Sequence, residues 1–188
     1  MNHNQLNSSL NNILVVDDIA DNLRVLSASL TEKGYQVRCA KNGTMALITA
    51  KKNPPQLILL DIKMPDMDGY QVCAKLKEDE LTRDIPIIFL SAFDDVLDKV
   101  KAFSVGGVDY ITKPFQIEEV VVRIQHQLIL QAAQAEIVEL NTQLEQKVQQ
   151  RTAQLEAVID QLNLEIAQHQ QTQKQLSHQA LHDALTGL

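Results

Sequence analysis

No run of apolar residues in the sequence approaches the roughly 20 that a membrane-spanning helix needs. The first dozen residues are rich in Asn and Ser and lack the basic start and apolar stretch of a secretory signal, so a cytoplasmic, reducing setting with no membrane partner is expected. Cysteine is scarce. Cys39 and Cys73 stand alone without CxxC spacing, which argues against a zinc cage or a disulfide scaffold and leaves both expected as small buried apolar residues. Positive charge is in deficit, with 17 Lys and Arg against 24 Asp and Glu for a formal net charge of -7, and this disfavours nucleic acid as a partner. Phosphate-cradling glycine loops are missing as well: no G-x-G-x-x-G follows the first apolar run, no Walker-type loop is present, and Gly106-Gly107 alone is a turn signal.

What is there is 188 residues, 45% of them apolar, enough for one sizeable core. Composition changes at Phe115: every aromatic, every proline and every glycine except Gly187 lies at or before it. Up to that point apolar runs at 13–16, 57–60 and 87–90 read as fully buried strands, with 35–39 and 108–111 as two more. Segments 20–33, 44–52, 69–80 and 95–104 read as helices. Near-continuous apolar strands alternating with helices imply an α/β fold with a parallel sheet covered on both faces and right-handed crossovers. In such sheets the ligand crevice lies beyond the carboxyl ends of the strands.

At those ends stand Asp17 and Asp18 after the first run, Asp61 after the third, Ser91 after the fourth, and Thr112, Lys113 and Pro114 after the fifth. Three carboxylates at one edge repel unless a cation sits among them, and an all-oxygen donor set suits Mg2+ with several retained waters. A carboxylate beside Mg2+, a hydroxyl and an ammonium is the equipment for receiving a phosphoryl group, and Asp61 is the natural nucleophile. Each member also has an ordinary reading: Asp17 or Asp18 as a helix cap, 64–69 as a turn, Ser91 as a cap, Lys113 as a solvated charge. Four strand ends placing suitable polar groups at the same edge by accident is the weaker account.

Val15-Val16-Asp17-Asp18 with Asn22, then Leu60-Asp61-Ile62-Lys63-Met64-Pro65-Asp66-Met67-Asp68-Gly69, Ser91-Ala92 and Thr112-Lys113-Pro114-Phe115 resemble the receiver (CheY-like) domain of two-component response regulators. The resemblance spans residues 12–125 and implies a flavodoxin-like (βα)5 doubly wound sheet with strand order 2-1-3-4-5. It further implies that Asp61 accepts phosphate from a histidine kinase or phosphotransfer protein, with Asp17, Asp18, Asp61 and the Lys63 backbone carbonyl holding Mg2+. Ser91 and Lys113 would bind the phosphoryl oxygens, Tyr110 would couple its rotamer to Ser91 as the switch, and the Lys113-Pro114 bond would be cis. Departures are small: Ser91 replaces the commoner threonine, and Gly107-Val108 stands where many members have Gly-Ala. Phe89 and Phe93 read as core.

Beyond Phe115 a Gln- and Glu-rich stretch without breakers reads as one helix to about residue 180, on the order of 100 Å at 1.5 Å per residue and far more than one domain can bury. Val148, Leu155, Leu162, His169 and Leu176 keep one seven-residue spacing and Leu144, Arg151, Val158, Glu165 and Thr172 the complementary one, as in a parallel two-stranded coiled coil. Ile124, Leu128, Ala135 and Val138 sit in a different phase, so the register slips, and the seam reads as either a switchable transmitter or a weak structural coil. His126, His169 and His178 form no paired ligand face, and neither His178 nor His182 precedes the proline-containing pattern of a kinase dimerisation domain. His182-Asp183-Ala184-Leu185-Thr186-Gly187-Leu188 resembles the opening of a GGDEF-type diguanylate cyclase domain, and the sequence stops before the Gly-Gly-acid-acid-Phe motif.

The expected layout is thus a flexible tail over 1–11, a receiver over 12–125, a coiled-coil signalling helix over 126–178 and a truncated cyclase start over 179–188. The expected function is a homodimeric phosphoacceptor switch, not itself an enzyme, that signals to a cyclase output. The alternative is a dimerisation scaffold whose acidic pocket is never phosphorylated.

Overall fold

The central strands bury apolar side chains on both faces, and the helices that cover them follow from that. The structure, a computed structural model, describes residues 12–92 and 96–186. The tail at 1–11, Phe93, residues 187–188 and the side chains of His178 and His182 lie outside the described residues. Elements run β1 Asn12–Val16, α1 Ala20–Glu32, β2 Gln36–Ala40, α2 Gly43–Lys52, β3 Leu57–Asp61, α3 Gly69–Glu78, β4 Ile87–Ser91, α4 Val96–Ser104, β5 Asp109–Thr112 and α5 Ile117–Thr186. The strands pair in parallel in the order β2-β1-β3-β4-β5, the flavodoxin-like order that the motifs imply.

Alternate residues along β1, β3 and β4 feed two cores. Leu14, Val16, Ile58, Leu60 and Phe89 pack with Ala46, Ala50, Val72 and Leu76 of α2 and α3. Ile13, Val15, Leu59 and Leu90 pack with Leu23, Leu26 and Leu30 of α1 and with Val120 and Ile124 at the start of α5. Each such aliphatic side chain, when fully buried, contributes about 1.5–3 kcal/mol. The three runs read as fully buried strands are buried along their whole length, and Phe89 lies in the core. The outer strands β2 and β5 are only partly covered, as edges must be.

Local chemistry sets the boundaries. Gly34, with φ +90°, closes α1 as its own N–H reaches the Thr31 carbonyl and the N–H of Tyr35 that of Leu30. That turn consumes one residue more than the hydrophobic pattern suggests, so β2 begins at Gln36 and Tyr35 packs into the core ahead of it. Asn42 caps α2 by accepting from Met45 N at 2.8 Å, and Asp68 and Gln71 form a reciprocal capping box at α3.

The chain divides into two units, Met1–Ala132 and Ala133–Leu188. In the second, α5 continues without interruption and its apolar side chains, Leu144, Val148, Leu155, Val158 and Leu162 among them, are exposed. No helix among the described residues is long and apolar enough to cross a membrane.

The two cysteines differ. Cys73, on α3, is buried, and desolvation pushes its thiol up to about 11. Cys39 was expected buried too but is only half-buried, because it lies on the edge strand β2. At pH 8 a thiol reagent should therefore modify Cys39 first and Cys73 only as fast as the domain opens. Peptide mapping by mass spectrometry checks this: equal labelling of both sites in the native state would contradict the placement.

Candidate functional site

A parallel sheet sends the carboxyl ends of all its strands to one edge, and there β1, β3, β4 and β5 deliver their polar residues together. Asp17 and Asp18 follow β1, Asp61 and Ser91 end β3 and β4, and Lys113 follows β5. Carboxylate oxygens of Asp17, Asp18 and Asp61 lie within 4.8 Å of one another. Lys113 bridges two of them, its Nζ donating to Asp17 Oδ2 at 2.7 Å and to Asp61 Oδ1 at 2.8 Å. Asp17 is wholly buried, Asp61 nearly so, and Asp18 is exposed.

Neither Asp17 nor Asp18 stands at the N-cap of α1. The N-cap of α1 is Ile19, which makes no side-chain cap. Asp17 instead accepts from Ile19 N at 2.9 Å and from the Asn22 amide, at 3.1 Å on Oδ1 and 2.9 Å on Oδ2. Asn22 thus fixes the Asp17 carboxylate. Its place in the first turn of α1, five residues after Asp17, is the sequence signal for this role. Lys113 is ion-paired and mostly covered rather than solvated.

Backbone bonds hold the same edge. Ile62 N donates to Leu90 O at 3.2 Å, and Lys113 N to Ser91 O at 2.6 Å; the Lys113-Pro114 bond is cis. Gly69 has no room for a Cβ, which would run into the Asp61 carbonyl oxygen and stand 2.9 Å from Ile62 Cα. Ser91 is buried at the end of β4, two residues beyond Phe89 and hence on the same sheet face. Tyr110 on β5, in register with Phe89, shares that face, is half-buried, and meets Phe103 edge-on with centroids 6.2 Å apart. Lys63 is exposed in the loop after β3.

One ammonium faces three carboxylates. Burial pushes the Asp61 carboxyl up; Lys113 draws it back, the charges of Asp17 and Asp18 push it up again, and the net direction is upward. Burial pulls the Lys113 ammonium down, but its hydrogen bonds to Asp17 and Asp61 outweigh that and hold it above the ordinary lysine value. An all-oxygen cluster with more negative charge than its lysine neutralises, open on the Asp18 side, fits a divalent cation.

A carboxyl raised on folding binds its proton more tightly in the folded state, so its contribution to stability is full at low pH and is lost as pH rises through the folded value. At neutral pH without divalent ions the Asp61 charge therefore costs stability. Asp61→Asn should raise the melting temperature by a few degrees in EDTA at pH 7 and less at acid pH, while Mg2+ should stabilise the wild type and not the variant. Calorimetric melts with and without Mg2+ check this; an Asn variant that melts lower in EDTA at neutral pH would contradict it.

Comparison with known proteins agrees with the site. The family described as "Response regulator receiver domain" matches residues 13–125. "Response regulator PleD" of Caulobacter vibrioides is 47% identical over 102 residues, which are 54% of this chain and 22% of that protein. "Probable transcriptional regulator ycf27" of Porphyra purpurea is 44% identical over 113 residues, 60% of this chain and 45% of that protein. The chain thus spans less than half the length of these relatives. Among solved structures, a putative response regulator from Chloroflexus aurantiacus superposes with a TM-score of 0.61 at 36% identity, over 64% of this chain and 98% of that one. The chemotaxis protein CheY4 of Vibrio cholerae does so with a TM-score of 0.61 at 27% identity, over 63% and 98%. Receiver domains are phosphoacceptor switches rather than independent enzymes, and with the family match running from β1 into α5 across this acidic pocket, the chain belongs to the response regulator receiver family.

Proposed function

We propose that the chain is a phosphoacceptor switch in which Asp61 takes a phosphoryl group from a phosphohistidine of a sensor kinase or phosphotransfer protein. The observation that carries this reading is the Asp17, Asp18 and Asp61 cluster bridged by Lys113. In the transfer a carboxylate oxygen of Asp61 forms the new P–O bond as the P–N bond of the donor breaks, and the imidazole leaves. Asp17, Asp18, Asp61 and the Lys63 carbonyl are the residues assigned to Mg2+, which when bound neutralises charge on the transferring group. Lys113, already 2.8 Å from an Asp61 oxygen, is placed to pair with a phosphoryl oxygen, and Ser91 is assigned a second one. Tyr110 shares the sheet face of Ser91 on the neighbouring strand, which supports a coupled rotamer switch.

The output half of the reading rests on α5. The exposed stripe through Leu144, Val148, Leu155, Val158, Leu162 and Leu176 keeps the heptad spacing of a parallel coiled coil, and a second copy of this chain is the partner that such a seam fits. We assign residues 126–178 to that signalling coil, after a receiver over 12–125. We assign 179–188 to the opening of a diguanylate cyclase domain, in which two facing cyclase domains would join two GTP molecules into cyclic di-GMP. Phosphorylation can alter such an output only by as much as it favours one dimer arrangement over the other.

Incubation with acetyl phosphate and Mg2+ should add one phosphate mass to the wild type and none to Asp61→Asn or to EDTA-treated protein. Absence of any Asp61-dependent mass gain would favour the scaffold alternative. Cysteines introduced singly at positions 148 or 155, in a background carrying Cys39→Ser and Cys73→Ala, should form covalent dimers under mild oxidation; if neither does, the parallel in-register coil is wrong.

A further inference from the structure

The loop between Asp61 and α3 leaves the acidic cluster directly at Asp61 and carries Lys63. Its root is fixed: Gly69 N donates to Ile62 O at 2.9 Å, and the Asp68–Gln71 capping box seals the start of α3. Its tip is fixed by Asp66. Asp66 Oδ1 accepts from Gly43 N at 3.3 Å, and Oδ2 accepts from Thr44 N at 3.3 Å and from Thr44 Oγ1 at 3.2 Å. Gly43 N and Thr44 N are the first backbone N–H groups of α2, a helix with no acidic residue in its own first turn, so Asp66 supplies from across the loop the anion that the helix end favours.

Packing at the same point is close. A Cβ on Gly43 would stand 2.6 Å from Val72 Cγ2 and 3.1 Å from Met67 Cβ, so the start of α2 lies directly against the loop tip. Desolvation draws the Asp66 carboxyl upward, but the N–H groups of Thr44, Gly43 and Met67 and the Thr44 hydroxyl outweigh it and hold it below the usual carboxylate range. Asp66 is thus an ionised strut between the loop and a helix anchored in the core through Ala46 and Ala50.

We propose that Asp66 is a positioning residue for cation binding: by tying the loop after β3 to the N-terminus of α2, it holds that loop, and with it the Lys63 carbonyl assigned to Mg2+ above, in the geometry that receives the cation. This rests on the metal-dependent reading above and adds to it a residue outside the pocket. Asp66 itself touches no cation. Without the strut the loop keeps its root contacts but can swing about them, so the Lys63 carbonyl spends less time where it is needed and the apparent affinity falls by the lost fraction.

The test is calorimetric titration of Mg2+ into the wild type, Asp66→Ala, Asp66→Asn, Thr44→Val and the Asp66→Ala/Thr44→Val pair, with melting temperatures in EDTA for each. Asp66→Ala should raise the Mg2+ Kd about 3- to 10-fold, less than the roughly 10- to 100-fold that partners bonded directly to metal ligands cost, because Asp66 acts through the loop. Asp66→Asn, whose one carbonyl oxygen can still accept, should fall between it and the wild type. Thr44→Val should cost less than Asp66→Ala, and the double variant should be no worse than Asp66→Ala alone, as expected of one shared contact. A helix-capping role alone would lower the melting temperature and leave the Mg2+ Kd unchanged, and that result in Asp66→Ala, or in Asp66→Asn should the alanine variant not fold, overturns the proposal. A wild type that takes up no Mg2+ would overturn the metal reading itself, and this proposal with it.

Discussion

The ammonium of Lys113 stands among three carboxylates, and the character of the pocket follows from that imbalance. Lys113 pairs with Asp17 and Asp61, but Asp17 is also served by the Ile19 N–H and the Asn22 amide. The buried carboxylate with the weakest support is therefore Asp61, whose carboxyl is pushed upward. A site arranged this way is under-compensated at neutral pH until something positive enters it. Such local conflict between stability and charge concentrates at functional sites.

The sheet makes the conflict possible. Lys113 lies 96 residues from Asp17 and 52 from Asp61, and only parallel strands that all end at one edge bring such distant groups into contact without long loops. The cost of holding like charges together is met by two apolar cores, one on each face, whose central strands are covered along their whole length. Close backbone approach does the rest: Gly69 lies against the Asp61 carbonyl and Gly43 against Met67, so the loop that follows the phosphoacceptor position is gripped at two points.

Much of this was legible in the sequence because burial on both faces leaves a continuous apolar run, as at 13–16, 57–60 and 87–90, and a polar residue after each run marks the functional edge. Edges were less legible. β2 begins one residue later than its pattern suggests because Gly34 takes a left-handed turn, and Cys39 on that strand stays half-buried. What could not be read were contacts whose meaning lies in a partner from elsewhere in the chain. Asp17 has the residue type of a helix cap as well as of a site carboxylate, and only the fold brings Lys113 and Asn22 onto it. Asp66 has the residue type of a turn, and only the fold sets the first N–H groups of α2 on its carboxylate.

The second unit raises the opposite problem, because the large apolar side chains of α5 there lie exposed. Leu144, Val148, Leu155, Val158 and Leu162 are exposed, and Arg151, Glu165, His169 and Thr172 interrupt the spacing that would pair them with a second copy. A seam of unbroken leucine and isoleucine would be too stable for a remote charge to redirect, since a phosphoryl group adds only about -1.5 to -2 charge to one residue. Polar residues at seam positions lower the stability of a coil. On the proposed reading the imperfect seam suits a switch: phosphorylation shifts the balance between two arrangements only by as much as it distinguishes them, and a marginal coil leaves less for that difference to overcome.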